Sequence, residues 1–178
     1  MNIPNALSSL RILLTIFFVL AILKQRFEAA LWLFTIQALS DLFDGFFARL
    51  LRRKTDIGAY LDPIADKVML ISSYIILCLY GLVPKWVLAI IVGRDLIVAT
   101  GFFVLSFMLP LRPSPSLLGK TGTIMQMVTV IYLLFSETRP YLHTFFYVTC
   151  LITIASGIEY SLRGLNVILK REASVKSL

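Results

Sequence analysis

The sequence contains little that could form a disulfide or bind a soft metal ion. It has two cysteines, Cys78 and Cys150, and a single histidine among its 178 residues. Both cysteines lie inside apolar stretches and belong to no spacing motif, so we expect packing roles and no disulfide. Because no cysteine and no second histidine lies near the acidic cluster described below, a zinc site is not expected there.

Polar sequence is also scarce. Hydrophobic residues make up 58% of the chain and its mean hydropathy is +0.87, more than a soluble globular protein carries. No internal repeat, low-complexity segment or basic leader with a cleavage site is present, so we expect one domain, residues 1–178, with no cleaved signal peptide. The net charge of +7 is carried mostly by short segments between apolar stretches, which argues against nucleic-acid binding.

Several apolar stretches reach the length needed to cross a bilayer, which predicts an all-α polytopic membrane protein. A short interfacial segment, residues 1–9, precedes them. A basic loop at residues 49–54 and a basic tail after Leu162 predict that both termini are cytoplasmic. Six transmembrane helices are predicted, near residues 9–24, 29–51, 58–81, 86–109, 120–136 and 142–162.

Five of the ten acidic residues lie in the segment Ser40–Lys67, and four of them, Asp41, Asp44, Asp62 and Asp66, fall at helical spacings. The first pair is three residues apart and the second pair four, so on helices each pair shares a face. Carboxylates in apolar helices are costly unless they are paired, metal-bound or facing water. All-oxygen ligand sets suit hard divalent cations, so the pattern predicts such a site. The alternative is a set of solvated helix ends beside a basic loop.

Small residues share the face of the first acidic pair. Asp41, Asp44, Gly45 and Ala48 follow helical spacing, which indicates a cleft that a ligand can enter. Arg49 suits bidentate phosphate binding. The residues alone therefore favour metal-assisted phosphoryl chemistry at a membrane surface. A divalent-cation transporter is the alternative from another class, and it leaves the two small residues and the arginine without a role.

Two cationic side chains interrupt later apolar stretches. Arg94 precedes Asp95 in the middle of the fourth predicted span, and Lys120 begins a polar stripe in the fifth. Charges at such positions are usually functional or paired. Both lysine and arginine here are candidates for binding a phosphate, while an Arg94–Asp95 bridge and a snorkelling Lys120 are the structural alternatives. Arg11, at the start of the first span, is likewise either a phosphate-binding residue or a residue that snorkels to the headgroups. The polar insertions of the sixth span are Gly157, Glu159 and Tyr160.

The acidic motif also carries a family resemblance. Asp41-x-x-Asp44-Gly45-x-x-Ala48-Arg49, followed by eight residues and then Gly58-x-x-x-Asp62-x-x-x-Asp66, resembles the signature of the CDP-alcohol phosphotransferases. Every fixed position is present, and the rest of the chain is compatible in length and helix count. The resemblance implies transfer of a phosphatidyl group from CDP-diacylglycerol to an acceptor alcohol, with release of CMP and with two divalent cations, Mg²⁺ or Mn²⁺.

The resemblance also implies roles for the site residues. Asp41, Asp44 and Asp62 are expected to bind the metal ions, and Asp66 is expected to act as general base and also as a metal ligand. These two roles of Asp66 cannot be separated from sequence. The CDP-lipid is expected to contact Asn5, Asp41, Gly45, Ala48, Arg49 and Gly58.

The acceptor is less determined by the sequence. Arg94, Lys120 and Arg11 favour an acceptor that carries phosphate, and glycerol 3-phosphate is the first choice because the N-terminal residues are similar to those of family members that make phosphatidylglycerophosphate. The alternative acceptors are inositol phosphate, serine and phosphatidylglycerol, the last of which would give cardiolipin. We expect a homodimer, which is common in this family, surrounded by membrane lipid. The expected location is a bacterial cytoplasmic (inner) membrane with the active site facing the cytoplasm.

Overall fold

The protein is described here by a computed structural model. The described backbone covers residues 3–51, 56–108, 116–135, 138 and 140–176. Side chains are described for residues 10–40, 65–101, 103, 116–135, 138 and 140–166.

Every regular element in this part of the chain is an α-helix, which confirms the predicted all-α class. Long apolar runs, with the glycines and prolines mostly between them, favour helices over strands. The helices are α1 (Ile3–Leu23), α2 (Phe27–Leu51), α3 (Asp56–Leu79), α4 (Lys85–Met108), α5 (Leu117–Phe135) and α6 (Leu142–Lys176).

Two helix ends differ from the sequence expectation. The predicted break between an interfacial segment and the first span does not occur, because α1 is continuous from Ile3. Pro4 lies in its first turn, where a missing N–H disrupts no helical hydrogen bond. At the other end, α6 continues for 35 residues, to Lys176, well beyond the predicted end near Leu162. The change from apolar to polar sequence there ends the membrane-compatible stretch but does not end the helix.

The described contacts divide the chain into two compact units. The first comprises Met1–Pro84 and Met127–Leu142. Within it, α1 packs against both α2 and α3. Phe18 of α1 and Phe34 of α2 are fully buried, with ring centroids 5.6 Å apart. The interior also includes Ala65, Met69 and other apolar side chains of α3. Helix α1 is therefore the element on which the two acidic helices pack.

Two helices of this unit end in the same kind of turn. After α3, the Gly81 N–H bonds to the Cys78 carbonyl and the Leu82 N–H to the Leu77 carbonyl, which is a Schellman motif. Gly81 has φ of +72°, as this position requires. The turn after α1 has the same bonding pattern with Gln25 at φ of 55°. These turns allow short connections at the ends opposite the acidic residues.

The second unit comprises Lys85–Gln126 and His143–Leu178. Buried polar contacts join its helices: the Gln126 side-chain amide of α5 donates to the Thr153 hydroxyl of α6 at 3.2 Å. Trp86 of α4 stacks on Tyr147 of α6, with ring centroids 5.5 Å apart. Hydrogen bonds between buried hydroxyl and amide side chains commonly hold helices together in apolar surroundings.

Many large apolar side chains of these helices are exposed, including Trp32, Leu79, Phe135 and Leu151. Among the described residues, two helical stretches are long and apolar enough to cross a membrane, Leu117–Phe135 and Leu142–Asn166. Leu10–Leu23 and Phe27–Ser40 are apolar but shorter. Exposed apolar surface of this extent is typical of contact with lipid or with another chain.

Candidate active site

The acidic motif lies on two consecutive helices. Asp41 and Asp44 lie in the C-terminal part of α2, and Asp62 and Asp66 lie in the N-terminal half of α3. The two helices are separated by residues 52–55 alone, so the acidic segments are close along the chain. The helical backbone that the spacing argument required is therefore present. The side chains of Asn5, Asp41, Asp44, Gly45, Ala48, Arg49, Gly58 and Asp62 lie outside the described residues.

Asp66 is the member of the motif whose side chain is described. Its Oδ1 accepts a hydrogen bond from Nη1 of Arg11, in an ion pair that joins α3 to α1. The Arg11 side chain is 3% exposed and that of Asp66 is 25% exposed. Arg11 therefore does not extend to a solvent-exposed interface, as a snorkelling arginine would. Sequence spacing does not predict this pair, because residues 55 positions apart leave no local signal.

Buried polar contacts also join α1 and α2 one turn beyond Arg11. The hydroxyl of Thr15 lies 2.8 Å from the Arg11 carbonyl oxygen and 2.9 Å from Oε1 of Gln37. Its single proton can bond to one of these acceptors at a time. The Gln37 amide nitrogen donates to the Leu33 carbonyl at 3.0 Å. Thr15 and Gln37 are both buried. These contacts connect α1 to α2 near the helix segment that positions Arg11.

The donor set of the motif fits a hard divalent cation. All four candidate ligands are carboxylates, the ligands that Mg²⁺ and Mn²⁺ prefer. The one described ligand, Asp66, is partly exposed and thus accessible to a ligand rather than sealed in the core. Among residues with described side chains, no group of three metal-binding residues is found. Three of the four carboxylates lie outside that set.

In the second unit, the Arg94 guanidinium of α4 is fixed by three side chains. Its Nη1 donates to Asp95 Oδ1 at 2.8 Å and its Nη2 to the Ser156 hydroxyl at 2.6 Å. Its Cζ lies 5.5 Å from the centroid of the Tyr160 ring, which is cation–π distance. Within the described residues, its buried Nε has no hydrogen-bond partner. The Arg94–Asp95 bridge, which the sequence offered as the structural alternative to phosphate binding, is therefore present, and at least one donor of Arg94 remains for another group.

Lys120 lies in the first turns of α5. The N-terminus of this helix is capped by Ser116, whose hydroxyl accepts the Gly119 N–H at 2.9 Å. The Lys120 side chain is exposed. A cationic side chain near a helix N-terminus, where the helix dipole is positive, favours anions. This geometry is compatible with the phosphate-binding role predicted from sequence.

Tyr160 and Ser156 are partners of the basic residues that the sequence analysis did not assign. Both lie on α6 and contact Arg94. In the sequence, Tyr160 is a polar insertion in an apolar stretch. That insertion is the signal by which it could have been found, because a polar group in such a helix usually has a partner.

Comparison with known proteins identifies the same family that the acidic signature resembles. A profile of the CDP-alcohol phosphatidyltransferase family matches residues 1–155. The chain is 29% identical over 180 residues to the CDP-diacylglycerol–glycerol-3-phosphate 3-phosphatidyltransferase of Aquifex aeolicus (strain VF5), covering 96% of this chain and 99% of the relative. It is 33% identical to the enzyme of the same name from Escherichia coli (strain K12), covering 89% and 92%. Cardiolipin synthase (CMP-forming) of Rattus norvegicus is 32% identical, with coverage of 89% and 60%.

Proposed function

Because the chain belongs to the CDP-alcohol phosphatidyltransferase family, we propose that it transfers the phosphatidyl group of CDP-diacylglycerol to glycerol 3-phosphate. The products are phosphatidylglycerophosphate and CMP. The complete acidic signature on α2 and α3 is the observation that carries this proposal. The enzymes of Aquifex aeolicus and Escherichia coli that share nearly their whole length with this chain are named for the same reaction.

The acceptor hydroxyl attacks the β-phosphorus of the CDP-lipid, and a new phosphorus–oxygen bond forms. The bond between this phosphorus and the oxygen of CMP breaks, so CMP leaves with the electron pair. Asp66 accepts the hydroxyl proton as general base. Its ion pair with Arg11 also suits an anionic metal-ligand role, since protonation of the carboxylate would remove the attraction.

The remaining residues bind and orient the substrates. Asp41, Asp44, Asp62 and Asp66 would hold two divalent cations, Mg²⁺ or Mn²⁺, which neutralise charge on the pyrophosphate when bound. For the CDP-lipid, the small side chains of Gly45 and Ala48 permit close approach, and Arg49 contacts phosphate. The other proposed CDP-lipid contacts are Asn5, Asp41 and Gly58.

Arg94 and Lys120 would bind the acceptor phosphate, with Arg11 as a third candidate. The three-sided fixation of Arg94 supports this role, because an oriented guanidinium matches the oxygens of a phosphate. Phosphatidylglycerol is the second candidate acceptor, since a cardiolipin synthase is 32% identical to this chain. It also carries a phosphate, so the two acceptors require similar positively charged residues.

We also propose that all six helices cross a bacterial cytoplasmic membrane, with both termini on the cytoplasmic face and the protein as a homodimer. The exposed apolar side chains of α1, α2 and α6 support contact with lipid. The basic residues that follow α2 support a cytoplasmic position for the acidic site. There, soluble glycerol 3-phosphate could enter while the acyl chains remain in lipid.

An acceptor screen tests the proposed function. Purified protein with CDP-diacylglycerol and Mg²⁺ or Mn²⁺ is supplied with glycerol 3-phosphate, phosphatidylglycerol, inositol phosphate or serine. We expect phosphatidylglycerophosphate, identified by mass, and an equal amount of CMP with the first acceptor. Product from another acceptor alone would change the substrate assignment. Metal uptake into proteoliposomes without CMP release would instead indicate a cation transporter.

Lys120→Ala tests the acceptor site. We expect the KM for glycerol 3-phosphate to rise about tenfold, because a charge-assisted hydrogen bond to phosphate is lost. The KM for CDP-diacylglycerol should change less than twofold by the same reasoning, since that substrate lies against other residues. Lys85→Ala, at the exposed start of α4, is the matched control. A larger effect on the KM for CDP-diacylglycerol would show that Lys120 belongs to the CDP-lipid site and not to the acceptor site.

A further inference from the structure

Tyr160 contacts both elements that carry the proposed acceptor-phosphate residues. Its ring lies against the Arg94 guanidinium of α4, 5.5 Å from centroid to Cζ. Its hydroxyl oxygen accepts a hydrogen bond from the Ser116 N–H, 3.2 Å away, at the N-terminus of α5. One side chain of α6 thus connects Arg94 with the capped N-terminus of α5, the helix that carries Lys120 in its first turn.

The fit around Tyr160 is close. A Cβ added to Gly119 would lie 3.1 Å from Cε2 of Tyr160, 3.2 Å from its hydroxyl oxygen and 3.0 Å from the Ser116 Oγ. A Cβ on Gly157 would lie 3.2 Å from Cγ of Arg94. Glycines at these two positions therefore leave space for the tyrosine ring and for the arginine side chain. Larger residues would displace one or the other.

Arg94 has few ways to reorient while these contacts persist. Asp95 and Ser156 hold its two terminal nitrogens, and the Tyr160 ring covers the guanidinium. A side chain held in one orientation loses less conformational freedom when a ligand binds. The same tyrosine also bonds to the residue that caps α5, and so it affects the backbone from which Lys120 projects.

We propose that Tyr160 is a positioning residue for the acceptor phosphate, acting through Arg94 and the N-terminus of α5. This inference rests on the proposed function, because it concerns the phosphate of the acceptor in that reaction. Tyr160 lies beyond residue 155, where the family profile match ends. The role proposed for Tyr160 is therefore argued from its contacts in the structure and not from the acidic signature.

The test measures both KM values and kcat for full-length protein carrying Tyr160→Phe or Tyr160→Leu. The phenylalanine variant keeps the ring but loses the hydrogen bond, so the KM for glycerol 3-phosphate should rise about fivefold. The leucine variant also loses the cation–π contact, and the rise should be about twentyfold or more. The KM for CDP-diacylglycerol and the kcat at saturating acceptor should stay within about twofold.

Two matched controls separate positioning from general packing. Tyr147 is another tyrosine of α6 whose ring lies 5.5 Å from an α4 side chain, in this case Trp86. Tyr147→Leu should leave the KM for glycerol 3-phosphate unchanged. Gly119→Ala should reproduce the Tyr160 effect by displacing the ring. Gly122→Ala should not, since among the described residues a Cβ there would contact Ile152 alone, at an ordinary van der Waals distance of 3.7 Å.

The outcomes are distinct. If wild-type protein forms no lipid product with glycerol 3-phosphate, the proposed function fails and this inference fails with it. If wild type is active but Tyr160→Phe, Tyr160→Leu and Gly119→Ala all keep the wild-type acceptor KM, only the inference on Tyr160 is overturned. Parallel increases in both KM values, or a lower kcat alone, would also overturn it. Tyr160→Phe and Gly119→Ala decide the question should the leucine variant fail to fold.

Discussion

Asp66→Asn is expected to lower kcat for phosphatidyl transfer by about a thousandfold, within the range for loss of a general base. The substitution keeps the size of the side chain and a hydrogen-bond acceptor for Arg11, but removes the negative charge. Both roles proposed for Asp66, as base and as metal ligand, require that charge. CMP release from CDP-diacylglycerol, measured at saturating glycerol 3-phosphate, gives the rate. Asp41→Asn, Asp44→Asn and Asp62→Asn should each abolish transfer as well.

Asp56→Asn is the matched control, because Asp56 is the first residue of α3 and lies outside the signature. It should retain wild-type activity, which would show that loss of one negative charge on this helix is not itself inactivating. All variants should insert into the membrane in normal amounts. Wild-type rates for any of the four signature variants would remove the role assigned to that residue.

Arg11→Gln is expected to destabilise the protein and to lower its activity. Removing one partner of a buried ion pair costs about 2 to 4 kcal/mol when the other partner is partly exposed, as Asp66 is. For a chain of this size, that cost lowers the melting temperature by roughly 5 to 15 °C. Arg26→Gln, in the exposed turn after α1, should have little effect. Thermal unfolding of the purified proteins in detergent measures the difference.

The double variant Arg11→Gln with Asp66→Asn separates stability from catalysis. It contains neither charge, so we expect most of the lost stability to return while transfer stays as slow as in Asp66→Asn alone. A double variant as unstable as the sum of the two single effects would contradict direct coupling of Arg11 to Asp66. An increase in the KM for glycerol 3-phosphate in Arg11→Gln would support the acceptor role that the sequence suggested for Arg11.

Sequence periodicity was sufficient to predict the helices that carry the acidic motif. The spacing of Asp41, Asp44, Asp62 and Asp66 predicts two consecutive helices, and α2 and α3 are both present at those positions. The end of α6 was predicted less well, because hydropathy detects where an apolar stretch ends and not where a helix ends. The Arg163–Glu159 pair, four residues apart at 2.5 Å, supports the polar continuation of that helix.

Contacts between distant segments could not be obtained from spacing. Arg11 and Asp66, or Ser116 and Tyr160, meet only because separate helices pack together. A single sequence contains the residue types of such pairs but not their proximity. Arg94 is the intermediate case, because its bridge to the adjacent Asp95 was the structural alternative that the sequence offered, while its contacts with Ser156 and Tyr160 were not expected.

The length of α6 has a mechanical consequence. At 1.5 Å per residue, its 35 residues form a rod of roughly 50 Å. The hydrocarbon layer of a bilayer is only about 30 Å thick. If α6 crosses the bilayer from Leu142, as proposed above, several turns of its helix, whose sequence includes Lys170 and Arg171, would extend outside the hydrocarbon. Such an extension can hold anionic headgroups against the protein, and moderate salt would weaken that attraction.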